Sequence, residues 1–233
     1  MYRLQKLLSK IGYCSRRAGE HLIIEGKIKI NGQTAKIGDS WNEGDKLEIN
    51  NKIIDVSNLS NQKTEIIKYY KPSGEVVSRE DKFHKNNVFS QLPSVNGKWI
   101  SIGRLDVLTT GLLLFTNDGD FAHKIMHPSF CFIREYYVET DKKLSESNIF
   151  DLLKGVPINN NQIGKFDSIN SLDISNKYII TLSTGKNREI RNSLKYLNID
   201  TLHLHRSKYA TLELDDMKEG EYRYLTDKEK LIF

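Results

Sequence analysis

The stretch from Ser101 to Asp120, SIGRLDVLTTGLLLFTNDGD, constrains this chain more than any other. Leu112, Leu113, Leu114 and Phe115 form an unbroken apolar run between Gly111 and the turn-forming Asn117-Asp118-Gly119. A run that short, bounded that way, predicts an interior strand ending in a turn. Ile100 and Ile102 alternate with polar residues up to Gly103, which predicts a second strand stopping there. Arg104, Leu105 and Asp106, then Thr109 and Thr110, fall between the two strands. A carboxylate beside an arginine on such a loop has two readings. It is a turn or cap whose oxygens accept backbone N–H bonds, with the arginine solvated. Or it is an ionised group lining a cleft and kept charged by a nearby guanidinium.

The rest of the chain bounds the choice. Its 233 residues suffice for one sizeable core plus a small second module. Residues 1–30 carry seven Lys and Arg against two Glu, an excess equal to the whole chain's net charge of +5. A second basic cluster runs from Lys186 to Lys208. Such clustering fits a polyanionic partner. Cys14 and Cys131 stand far apart, which argues against a disulfide framework, a zinc site or an oxidising compartment. His123 and His127 have metal-ligand spacing but no third ligand nearby, so no metal is expected. The N-terminus is basic and amphipathic, and apolar runs are short; a cytoplasmic protein with no membrane span is expected.

Leu4, Leu7, Leu8 and Ile11 fall at helical spacing, and Ser15 is a good N-cap for a second helix stopped at Gly26. Lys27-Ile28-Lys29-Ile30 alternates into the turn Asn31-Gly32, and Lys46-Leu47-Glu48-Ile49 alternates again. Arg16 and Arg17 sit in the first turn of the second helix, where the macrodipole disfavours cations. Residues 51–64, with the polar run Ser57 to Thr64, read as a linker. Ile66 to Tyr70 is a strand entering the turn Lys71-Pro72-Ser73-Gly74, and Asp120 to Met126 a helix. Arg134 to Thr140, REYYVET, is a strand with Tyr136 and Val138 on one face and Tyr137 on the other. Ser145 to Leu153 reads as a helix, Pro157 to Asn176 carries little pattern, and Tyr178 to Leu182 is a strand. A helix is expected over Arg188 to Leu197, with Arg188 and Arg191 on one face of its first turn, then a strand over His203 to Leu214.

Gly-Arg-Leu-Asp followed by Thr-Thr-Gly-Leu-Leu-Leu and Thr-Asn-Asp-Gly resembles the catalytic signature of the RsuA-type ribosomal RNA pseudouridine synthases. Lys-Pro-Ser-Gly and Gly-Lys-Asn-Arg-Glu-Ile-Arg resemble that family's flanking motifs, and Cys-Ser-Arg-Arg-Ala with Gly-Lys-Ile-Lys-Ile-Asn-Gly resembles the S4 RNA-binding domain. The resemblance implies an α+β chain. A small S4-like α/β module occupies residues 1–50. A synthase domain occupies 65–233, with a mixed, mostly antiparallel sheet, flanking helices and a catalytic cleft. It makes Asp106 the catalytic carboxylate, Arg191 its partner and Tyr136 the residue that stacks on the target base. Arg104, Arg188, Lys71, Arg3, Lys6, Arg16, Arg17 and Lys29 become the RNA contacts. Asn192 stands where the family usually has another arginine.

Uridine isomerisation involves no redox step or group donor, so no cofactor is expected. Asp106 then acts as a nucleophile or as a general base, and the sequence leaves both open. The implied partner is ribosomal RNA, the chain a monomer. Tyr-Tyr-Lys-Pro-Ser-Gly-Glu and Arg-Glu-Tyr look closest to the branch acting on 23S rRNA near the peptidyl-transferase region, with 16S rRNA as the alternative. Two competing readings are a non-catalytic, S4-type ribosome-associated RNA-binding protein and an enzyme cleaving small glycosidic substrates.

Overall fold

A computed structural model describes residues 1–56, 63–81, 86–172 and 175–233. The chain forms two compact units. The first comprises Met1–Glu65, Pro93–Ile100 and Asn117–Gly119, and the second the remainder.

In the first unit, β1 (Tyr2–Arg3) leads into α1 (Leu4–Lys10) and α2 (Arg16–Ile24). These are followed by β2 (Ile28–Ile30), β3 (Gln33–Thr34), β4 (Ser40–Trp41), β5 (Leu47–Ile49) and β6 (Lys52–Ile54). The periodic leucines do what their spacing predicts: Leu4, Leu7 and Leu8 are wholly buried against Ile23, Ile28, Trp41, Leu47 and Ile49. The Ser15 hydroxyl accepts the Ala18 N–H at 3.2 Å and caps α2, while no acidic residue offsets Arg16 and Arg17 in its first turn. Asn31 and Gly32 both take positive φ, the geometry of a tight hairpin turn, and β3-β2-β5-β6 form an antiparallel sheet. That sheet extends past the expected boundary, because Lys52–Ile54 pair with β5 within the stretch read as linker. Residues 57–62 of that stretch lie outside the described residues.

The other elements fall almost entirely in the second unit. They begin with β7 (Ile66–Lys71), β8 (Ile100–Ile102), β9 (Thr110–Thr116), α3 (Gly119–Met126), β10 (Arg134–Thr140) and α4 (Glu146–Lys154). They continue with β11 (Val156–Ile158), β12 (Gln162–Gly164), β13 (Ser168–Ser171), β14 (Lys177–Leu182) and α5 (Glu189–Tyr196). Last come β15 (Thr201–Tyr209), β16 (Leu212–Glu213), β17 (Tyr222–Tyr224) and α6 (Asp227–Lys230). One sheet runs β13-β14-β10-β15-β9-β7-β17, with β8 on β9 and β16 on β15. Its described pairings are antiparallel except β9 with β15, so the sheet is mixed and mostly antiparallel, as expected.

The apolar run Leu112 to Phe115 is wholly buried on both faces of β9. Beside it, the parallel pairing of β9 with β15 brings β15 unusually close. A Cβ on Gly111 would lie 2.3 Å from the Arg206 carbonyl oxygen and 2.6 Å from its nitrogen. Both obstacles are backbone, and φ at Gly111 is +108°, so only glycine fits. Buried Arg206 reaches back across the same junction, its Nε donating to the Leu112 carbonyl at 2.6 Å.

Three further expectations change. The strand read over His203 to Leu214 is two strands, broken where Ala210 adopts a positive φ. Short strands β11, β12 and β13 occupy the patternless stretch from Pro157. The helix expected from Arg188 starts at Glu189, with Arg188 as a left-handed N-cap at φ 50°. Arg188 and Arg191 therefore do not share a helical turn.

Candidate active site

Asp106 lies on the loop between β8 and β9, and the neighbouring strands fix that loop. Lys71, at the end of β7, is fully buried. Its ammonium donates to the carbonyls of Pro72 at 2.9 Å, Val107 at 3.1 Å and Thr109 at 2.9 Å. The Gly74 N–H donates to the Val107 carbonyl at 2.8 Å, and the Thr109 N–H to the Asp106 carbonyl at 3.0 Å. Leu105 anchors the loop from below, and the Asp106 side chain is left about a quarter exposed. The sequence-based RNA contact at Lys71 is thus overturned: a side chain with no exposed surface cannot meet a phosphate. Its charge clamps the peptides that present Asp106.

The opposite wall is the segment from Ser183 to Arg188. Arg134 donates to the carbonyls of Ser183 and Thr184, each at 3.1 Å, and to the Tyr209 hydroxyl at 3.2 Å. The buried Glu189 carboxylate accepts from the Thr184 hydroxyl at 2.8 Å and from the Lys186 N–H at 3.0 Å. An acid at the first position of α5 takes up loop donors and favours the positive helix end together. Held so, Arg188 points its Nη1 at Asp106 Oδ2 from 3.5 Å, and Arg191 brings Nε within 3.8 Å of the same oxygen. Arg191 Nη1 donates to the Thr201 carbonyl at 3.1 Å, whereas its buried Nε has no hydrogen-bond partner among the described residues. Burial and the adjacent Arg188 push the Arg191 guanidinium below its usual range, and Asp106 pulls it back up.

Tyr136 faces inward from β10 and, with Asp106, Thr109, Leu182 and Leu204, lines a cavity of about 70 Å³. A wider groove of about 1040 Å³ shares Arg104, Leu105, Asp106, Gly185, Lys186 and Arg188 with it. The structure therefore gathers Asp106, Tyr136, Arg188 and Arg104 around one opening, with Arg191 behind Asp106 and on the lining of neither cavity. In the first unit, Arg3, Arg16 and Arg17 are exposed, Lys6 and Lys29 half-buried, and Lys29 Nζ donates to Asn51 Oδ1 at 3.0 Å. Arg3 donates to the Gly38 carbonyl.

Sequence reasoning missed the positioning roles of Lys71, Arg134 and Glu189. Only Glu189 left a local trace, as an acid where a helix begins beside two arginines. Lys71 also carries a pH signature. Burial pushes its ammonium down to about 8, against the pull of Glu75, Asp106 and Glu219. From about pH 8 to 10 the unfolded chain binds more protons at this group, so its contribution makes stability rise with pH. Activity is expected to move the other way, since a neutral amine has two N–H donors for three carbonyls. A single-turnover rate falling above about pH 8, without parallel loss in the urea midpoint, is the expected result. Lys71→Met should lower the rate and abolish that alkaline limb.

Residues 65–196 match the family model described as RNA pseudouridylate synthase, and residues 3–47 match the S4 domain model. The chain is 38% identical over 221 residues to the ribosomal large subunit pseudouridine synthase B of Xanthomonas campestris, covering 91% of this chain and 44% of that protein. It is 37% identical over 219 residues to the Salmonella typhimurium protein of the same name, covering 91% and 75%. It thus spans less than half the length of the first relative and three quarters of the second. A crystal structure of a pseudouridylate synthase superposes with a TM-score of 0.70 at 26% identity, over 98% of both chains. Among the described residues no helix is long and apolar enough to cross a membrane. Matched over more than half its length by one model, the chain belongs to the RNA pseudouridylate synthase family.

Proposed function

We propose that this chain isomerises a uridine of 23S ribosomal RNA to pseudouridine, with Asp106 acting on a nucleotide turned out of its stack. The observation that carries this reading is the convergence on Asp106. One partly exposed carboxylate faces two guanidiniums at 3.5 and 3.8 Å, and an inward tyrosine lines the same cavity. The reaction breaks the C1′–N1 bond, turns the uracil and joins C1′ to C5; C5 gives up its proton and N1 takes one up, so atoms and electrons balance without a co-reactant. Neither C1′ nor the base face is reachable inside a helix, and extrusion costs a few kcal/mol. Stacking on Tyr136 returns about 1–3 kcal/mol.

The base enters from the wide groove, where Arg104 and Lys186 meet the flanking phosphates. Arg3, Arg16 and Arg17 in the S4-type unit hold the RNA backbone; such contacts position more than they specify. Asp106, Tyr136, Arg188 and Arg191 of one copy supply every group this chemistry uses, so the reading is of a chain acting as a monomer. The large-subunit target is supported by the names of relatives 36–39% identical to this chain. Mapping pseudouridines in rRNA from cells lacking the protein tests the reading. Loss of one 23S site, restored by the wild-type protein, is the expected result. Loss from 16S rRNA instead would redirect the target, and an unchanged map would overturn the function.

A further inference from the structure

Leu108 stands two residues beyond Asp106 with 67% of its surface exposed, on the groove also lined by Val76, Val77 and Met126. A lone exposed leucine needs no explanation. This one differs in how its backbone is held. The carbonyls on either side of it, those of Val107 and Thr109, both accept from the buried Lys71 ammonium, at 3.1 and 2.9 Å. The Val107 carbonyl takes a further bond from the Gly74 N–H at 2.8 Å, and Thr109 is itself buried. An apolar side chain is thereby fixed in the open beside the carboxylate, rather than carried on a loose tip. Arg104, Lys186 and Arg188 line the same groove. Cations for phosphates around one rigid apolar projection are what a stacked nucleic acid would meet.

We propose that Leu108 is a wedge that enters the base stack as the target nucleotide leaves it, covering the exposed face of the neighbouring base. The inference rests on the function proposed above. Apolar side chains are used in this way elsewhere to part base steps. The vacated step offers an apolar base face, while Arg104 stays on the phosphate. Leu108 is accordingly a positioning residue: it lowers the cost of extrusion and has no part in the bond changes at Asp106.

The test compares Leu108→Ser and Leu108→Met with wild type in single turnover, using two forms of a 23S stem-loop from the peptidyl-transferase region. In one form the uridines are stacked in the helix, and in the other the opposing nucleotides are removed so that they already stand free. Leu108→Ser should slow the stacked form about 10- to 100-fold and the free form less than about threefold, with Leu108→Met close to wild type. Equal losses on both forms, or none on the stacked one, would overturn the wedge. 2-Aminopurine placed 3′ to the uridine gives a second readout that needs no turnover. It should brighten on binding to Asp106→Asn and fail to do so when Leu108→Ser is added. A wild-type protein that forms no pseudouridine would sink the proposed function alone, since the 2-aminopurine signal would still decide the wedge.

Discussion

Asp106→Asn is expected to form pseudouridine at least about a hundredfold more slowly while binding the same RNA with nearly unchanged affinity. The amide keeps the size of the side chain and leaves the loop's anchors untouched, because these run from Lys71 and Gly74 to backbone carbonyls. What disappears is the negative oxygen that Arg188 and Arg191 face at 3.5 and 3.8 Å. The size of the loss separates the two chemical roles open to this group. Removing a general base typically costs about 10²–10⁴-fold. Removing a nucleophile costs as much as ~10⁶-fold, because no covalent route remains. Release of tritium from [5-³H]uridine in the RNA, followed in single turnover, spans that range, and fluorescence anisotropy reports binding. Activity within tenfold of wild type would remove Asp106 from the chemistry.

Much of this site was legible in the sequence because its parts are local. The apolar run of β9 between Gly111 and Asn117, the alternation in Arg134 to Thr140 and the carboxylate between two strands all declare themselves within ten residues or so. What stayed hidden depends on partners far along the chain. Lys71 reads as a surface cation in a Lys-Pro turn, and only the approach of Val107 and Thr109 reveals an ammonium enclosed by carbonyls. Gly111 reads as a strand boundary; the backbone of Arg206 explains why a side chain is forbidden there. The spacing of Arg188 from Arg191 predicts helical geometry for both. The left-handed backbone of Arg188 follows from Glu189 and Arg134 holding the preceding loop, which no periodicity encodes. Strands β11 to β13 are only three or four residues long within an Asn- and Ser-rich stretch, too short for a two-residue alternation to stand out.

Arg191→Leu should lower kcat about 10²–10³-fold, the usual loss when a preorganised charge is removed from a reacting group, and should leave KM little changed. Arg188→Leu should do the reverse. The two guanidiniums look equivalent by distance to Asp106, but their surroundings differ. Arg188 is about half exposed, so water screens its attraction and its wide-groove position suits a phosphate. Arg191 is 11% exposed, is braced by the Thr201 carbonyl, and keeps an Nε with no hydrogen-bond partner among the described residues. A buried donor left unmatched is costly, and closing the remaining distance to Asp106 would relieve that cost when substrate is bound. Arg191→Lys should rescue little, because one ammonium cannot reach both Thr201 and Asp106 with the geometry of a planar guanidinium. Steady-state kinetics on the three variants, with thermal melts as a control for folding, decide the matter. Should Arg188→Leu prove the more damaging to kcat, the exposed arginine would be the carboxylate's working partner, and the buried one a brace for the end of α5.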